Sequence, residues 1–170
     1  MQIFWGGVLP ALMLVAAAPA DGPTRAAQCA ISAYVTDRDP NGLNVRDAPS
    51  AQARVVRTVS NAGSGVAVIT GHNGGWFRVS NIDDAESDAH LFDGDGWVHG
   101  SLLGLDVANA DPRLYASSNP RSRVLARLRA DETRVTLTGC AGTWAQVRAE
   151  GRTGWLSPGG QCSNPLTTCA

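Results

Sequence analysis

The stretch LNVRDAPS, Leu43 to Ser50, decides how the rest of the chain is read. An apolar residue, an Asn, a β-branched residue and an Arg are followed by Asp-Ala-Pro-Ser, which reads as a strand running into a turn. Downstream, "VAVITGHNGGWFRV" (Val66 to Val79) continues in the same vein: an alternating strand, a Gly-containing turn and a strand opening on Trp.

That second stretch recurs. Shifted by 68 positions it lies over "RVTLTGCAGTWAQV", so that Thr70, Gly71, Gly74, Trp76 and Val79 meet Thr138, Gly139, Gly142, Trp144 and Val147 without a gap. Downstream, Gly96-Trp97-Val98 meets Gly154-Trp155-Leu156. Upstream, Leu43 and Pro49 are matched with Leu114 and Pro120, and Val55, Val56 and Val59 with Val124, Leu125 and Leu128. The chain is therefore expected to hold two copies of one unit, with a seam near Asn109 to Pro112. The first copy carries ten extra residues between its last two strands, within the acidic run 82–95. "RSRVLARLRADE" has helix-forming residues near helical spacing, but its counterpart in the first copy is valine-rich, so strand is expected in both.

The 170 residues include nineteen Gly and nine Pro, favouring short strands and many turns. The net charge of −1 exerts no global pull on nucleic acid or anionic lipid. The two copies are opposite in sign. Ala33 to Asp111 holds five Arg and eleven acids, a net of −6, whereas Pro112 to Gly160 holds eight Arg and three acids, a net of +5.

Residues 1–20 read as a secretory signal, with an apolar core from Val8 to Ala18 and a small-residue cleavage site at Ala18-Pro19-Ala20, although Met1 to Gly7 carries no basic side chain. No second apolar run of membrane length follows, so no stable membrane insertion is expected after cleavage. In an oxidising compartment Cys29, Cys140, Cys162 and Cys169 read as two disulfides, for which the sequence allows three pairings.

The order of strands resembles the bacterial Src-homology-3 domain. Leu43, Asn44, Val45, Arg46, Pro49 and Ser50 supply that family's opening strand, Gly75, Trp76 and Val79 its Trp strand, and Gly96, Trp97 and Val98 its closing strand. The second copy is more divergent, reading "RLYASSNP" at its opening, with Tyr115, Ala116 and Ser117 taken as the counterparts of Asn44, Val45 and Arg46. The resemblance implies an all-β fold of two tandem small SH3-like β-barrels. The expected organisation is a signal at 1–20, an N-terminal segment at 21–32, a first barrel at 33–108, a second at 109–161 and a Cys-containing tail at 162–170. It also implies Cys140 with Cys162, because the turn before the Trp strand lies near the closing turn in that topology. Cys29 would then fasten to Cys169. The rival pairing is Cys29 with Cys140 and Cys162 with Cys169.

Members of that family are mostly implied to bind peptidoglycan, its stem peptides or other proteins. The candidate ligand-binding residues are Tyr34, Arg46, Trp76 and Tyr115. Arg46 can grip a carboxylate with its fork or simply pair with Asp47 or Asp37. Trp76, Trp97, Trp144 and Trp155 can stack on a ligand, but their repetition favours a structural role. Asp83, Asp84, Glu86, Asp88, Asp93 and Asp95 offer hard oxygens without the spacing of an EF-hand, so no metal is expected. His72, His90 and His99 are scattered and no nucleophile motif is present, so neither catalysis nor a cofactor is expected.

The expected protein is a non-catalytic, periplasmic or secreted binding module that recognises peptidoglycan or an envelope protein. The alternatives are a cell-wall hydrolase or its regulator, using His and Asp of the first copy, and a structural interaction scaffold.

Overall fold

The computed structural model describes residues 1–2, 27–60, 62–130, 134–164 and 166–167. Most of the expected signal, residues 3–20, and Cys169 lie outside them. Among the described residues there is no α-helix, and none is long and apolar enough to cross a membrane. The fold is all-β, as expected.

The first half contributes β1 (Ala27–Val35), β2 (Leu43–Arg46), β3 (Val55–Val59), β4 (Gly65–Asn73), β5 (Trp76–Asp84) and β6 (His90–His99). The second contributes β7 (Leu103–Val107), β8 (Arg113–Tyr115), β9 (Val124–Arg127), β10 (Arg134–Ala141), β11 (Trp144–Ala149), β12 (Arg152–Leu156) and the short β13 (Gln161–Cys162). LNVR is thus a strand, β2, and DAPS the turn after it. "VLAR" is strand β9 rather than helix: β-branching and its partner strand prevail over local helix propensity.

The strands form one antiparallel sheet in the order β3-β2-β6-β5-β4-β1-β7-β10-β11-β12-β8-β9, with β13 also on β7. Read from β1 outward the order is 1-4-5-6-2-3, and read from β7 outward it is 7-10-11-12-8-9, the same path traced twice. The expectation of two closed barrels is corrected here. β1 pairs with β4 on one side and β7 on the other, and β7 continues to β10, so each unit gives its neighbour an edge that closure would need. The result is an open sheet with strand β7 held in both ladders. One contiguous apolar core runs through both halves, from Leu43, Ile69 and Phe77 to Leu105, Leu114, Val147 and Leu156.

The pairing also corrects the upstream register of the repeat. Asp47 N–H donates to Arg54 O, and Ala116 N–H to Arg123 O. Ser50 donates to Ala48 and Asn119 to Ser117 in the turns that follow. These matched bonds set Asp47 over Ala116, an offset of two residues from the match of Leu43 with Leu114. Tyr115 is therefore the counterpart of Arg46: the two pair with Trp155 and Trp97 respectively. The prolines misled because Pro49 and Pro120 occupy different corners of equivalent turns.

The disulfide expectation is corrected as well. β1 reaches beyond its own unit to the β10–β11 turn, where Ala30 N–H donates to Gly142 O (2.7 Å) and Gly142 N–H to Gln28 O (3.0 Å). This sets Cys29 beside Cys140, and the two are bonded with Cα atoms 5.6 Å apart. Cys162 lies on β13 against Asp106 of β7, and so is not the partner of Cys140. It too is disulfide-bonded, and no described cysteine is free.

Candidate functional site

The four residues singled out from sequence are not brought into one site. Tyr34 is half-buried where β1 meets β7, and its hydroxyl donates to Asp106 Oδ1 at 2.9 Å. The Arg46 guanidinium donates to Ala53 O at 2.7 Å, closing the β2–β3 turn, while Asp47 pairs with Arg54 instead. Trp76 stands edge-on to His99, with ring centroids 5.1 Å apart. Tyr115 is 1% exposed, packed edge-on against Trp144 and covered by the Arg113 guanidinium.

Around Tyr115 a polar knot fastens the second unit. Asp111 accepts from Arg113 Nε, Ser157 Oγ and the Tyr115 hydroxyl. Burial alone would raise the Asp111 carboxyl, but these donors outweigh it and hold the group below the ordinary carboxylate range. Burial and the neighbouring carboxylate push the Tyr115 phenol up.

Among the described residues, clefts open on the first unit and at the junction of the units. The first, about 490 Å³, lies on the first unit between β3 and the first half of β6, and is lined by Val56, Arg57, His90, Leu91, Phe92, Asp93, Gly94 and Asp95. It exists because the acidic run does not loop out. It extends the β5–β6 hairpin, pairing Asn81, Ile82 and Asp83 with Asp93, Phe92 and His90. Asp84 makes the tip, accepting the N–H groups of Glu86 and Ser87 and the Ser64 hydroxyl, which lower its carboxyl. The second unit has no such extension: there Glu150 and Gly151, both with positive φ (48° and 74°), close a tight hairpin.

The cleft combines apolar side chains with both signs of charge. Asp95 is paired with Arg78 at 2.8 Å. His90 Nδ1 lies 2.7 Å from Asp83 Oδ1, and this hydrogen bond, with the Asp83 charge, raises its pKa. Among the described residues no group of His, Cys, Asp or Glu is placed to hold a metal ion. None of the cleft residues was singled out as a ligand contact from sequence. The one available signal was the length of the insertion, which says where a wall is built but not which side chains face inward.

The second cleft, about 440 Å³, lies at the junction of the units, lined by uncharged residues including Ile31, Ser32, Val68, Thr143, Pro158 and Gln161. The Gln161 amide is already committed there, donating to the carbonyls of Thr143, Leu156 and Ser157. His72 sits near this junction, edge-on to Phe77, with Nδ1 buried and unpartnered, and burial lowers its pKa.

A strand-built scaffold with an open, mixed-polarity cleft on one unit has the make-up of a binding module. Residues 41–104 match the family profile of the bacterial SH3 domain, a general binding module. The match covers the first unit from just before β2 to the start of β7, including the cleft. No curated protein sequence matches the chain.

Proposed function

We propose that this chain is a non-catalytic, exported binding module that recognises peptidoglycan through its first unit, with the second unit as a divergent copy of the same fold. The observation that carries this reading is the cleft on residues 41–104. It presents Val56, Leu91 and Phe92 beside the Arg57 guanidinium, the His90 imidazole and the carboxylates Asp93 and Asp95, the latter paired with Arg78. A stem peptide carrying both amine and carboxylate groups suits such a surface, with apolar contact supplying area and the charges setting orientation. The strand path of the second half supports the second copy. Disulfide-bonded Cys29, Cys140 and Cys162 fit an oxidising compartment.

The test is co-sedimentation of the chain, disulfides intact, with purified sacculi. Wild type pellets with the wall, Arg57→Glu and Phe92→Ala do so markedly less, and dye-labelled sacculi release no dye. A wild type that stays in the supernatant sinks the wall reading and directs the cleft toward an envelope protein. Release of dye would make the chain a hydrolase.

A further inference from the structure

The β8–β9 hairpin of the second unit is the counterpart of β2–β3, with its bulge in the same place. Arg113 pairs with Arg127, Leu114 with Ala126 and Tyr115 with Val124, just as Asn44 pairs with Thr58, Val45 with Arg57 and Arg46 with Val55. The two hairpins differ in how their charge is answered. In the first unit Arg54 is paired with Asp47, and the Thr58 hydroxyl donates to Asn44 Oδ1 at 2.9 Å. In the second unit Ala116 stands where Asp47 does, so Arg123 lacks that carboxylate. The neutral Asn44–Thr58 pair becomes Arg113 opposite Arg127. Like charges directly opposite each other destabilise a ladder.

The surroundings change in the same direction. Beside Val56 and Arg57 the first unit places Asp93 and Asp95. Against β9 the second unit places Arg152, whose guanidinium donates to Leu125 O at 2.7 Å. Residues 113–127 hold four Arg and no acid, where residues 44–58 hold three Arg and one acid. Arg113 is answered by Asp111. Arg121, Arg123 and Arg127 are exposed, and among the described residues none of the three has a carboxylate partner.

We propose that the β8–β9 hairpin binds a linear phosphodiester polymer of sugars or polyols. Guanidinium forks match pairs of phosphate oxygens. Arginines in the turn, on β9 and from β12 suit a chain of repeating anions more than a single one. A membrane surface is disfavoured because Val124 is the one large apolar side chain exposed on the hairpin. Single-stranded nucleic acid is disfavoured because Tyr115, the hairpin's one aromatic residue, is 1% exposed and gives a base nothing to stack on. The site lies on the unit that stem-peptide recognition does not use, so the two stand or fall separately.

Fluorescence anisotropy tests it, with the full chain, disulfides intact, titrated into a labelled poly(glycerol phosphate) chain. Wild-type affinity should fall about tenfold or more between roughly 50 and 200 mM salt. Ala116→Asp with Arg127→Thr restores the charge pattern of the first unit. This pair should weaken binding about tenfold at low salt while the unfolding midpoint stays at or above wild type. Arg121→Gln with Arg123→Gln, both exposed, should weaken it likewise. The proposal is overturned by a wild type that does not bind, or by hairpin variants that bind as wild type does. It is equally overturned if Arg38→Gln with Arg54→Gln, in the first unit, weakens binding as much. Tighter binding to polyglutamate, to an oligothymidylate of equal charge or to phosphatidylglycerol vesicles would overturn it in favour of those anions.

Discussion

Tyr34 and Asp106 occupy the same position in the two repeats, and they hydrogen-bond to each other. Tyr34 pairs with Val66 on β4, and Asp106 pairs with Arg134 on β10, positions 68 residues apart as in the matching β4–β5 and β10–β11 hairpins. Their side chains meet across the β1–β7 ladder at 2.9 Å. The contact that joins the units is thus made by one position of the fold against its own copy, with a phenol on one side and a carboxylate on the other. Tyr34→Phe removes the donor and is expected to lower stability by about 1–2 kcal/mol in denaturant unfolding. Sacculus binding should be unaffected. Lost wall binding at unchanged stability would return Tyr34 to the ligand surface.

Gly104 lies opposite Tyr34 in that ladder, and the tyrosine ring covers it. A Cβ there would press into the ring and come 2.7 Å from Thr36 Cγ2. Gly104→Ala should cost about 1–3 kcal/mol, the usual range for forcing atoms into a packed site. Because β7 serves both ladders and the core is contiguous, the loss should appear as one cooperative transition moved to lower denaturant. Two transitions, with only one displaced, would show that the halves unfold independently.

The Cys29–Cys140 bond closes a separation of 111 residues and ties β1 to the far unit. Replacing both cysteines by Ala should cost about 2–5 kcal/mol, chiefly by freeing the unfolded chain. Hydrogen exchange should speed up first at Ala30 and Gly142, whose mutual bonds depend on that tether. Unchanged protection there would mean the ladder holds without the disulfide.

Much of this architecture was legible in the residues because it is local. Trp76 and Trp144, with Gly74 and Gly142 at positive φ just before them, mark identical hairpins in both halves. What escaped is non-local. Nothing near Leu103–Val107 announces that this strand serves two ladders, and nothing near Cys29 says that β1 outruns its own hairpin. Proline in the turn after the opening strand was visible in both copies, but a turn tolerates it at more than one corner, which hid the true match of Arg46 with Tyr115. In that match each position lies beside a Trp strand, one guanidinium closing a turn and one phenol tied to Asp111.

Arg46→Ala gives a direct check. The bond to Ala53 O stabilises the turn that begins at Asp47. Its loss should cost about 1–2 kcal/mol, since a charged donor is involved and the side chain is partly buried. Pelleting with sacculi should match wild type at temperatures where both are folded. A stable variant that no longer pellets would make Arg46 a ligand contact after all.

His72 and His90 should titrate in opposite directions from the ordinary value. The hydrogen bond and charge of Asp83 raise the His90 pKa above its ordinary 6.5, whereas burial lowers that of His72 below it. A raised value means that the folded state holds the proton more tightly. The His90 contribution is therefore complete below pH 6.5 and disappears as pH climbs through the raised value. A lowered value means the reverse, so the His72 contribution is present above pH 6.5 and is lost as pH falls through its depressed value. NMR titration of the ring protons should resolve the pair on either side of 6.5, and Asp83→Asn should return His90 toward the ordinary value while leaving His72 in place. Coincident titrations in wild type would dissolve the Asp83–His90 clasp, and with it the ordered acidic wall of the first cleft.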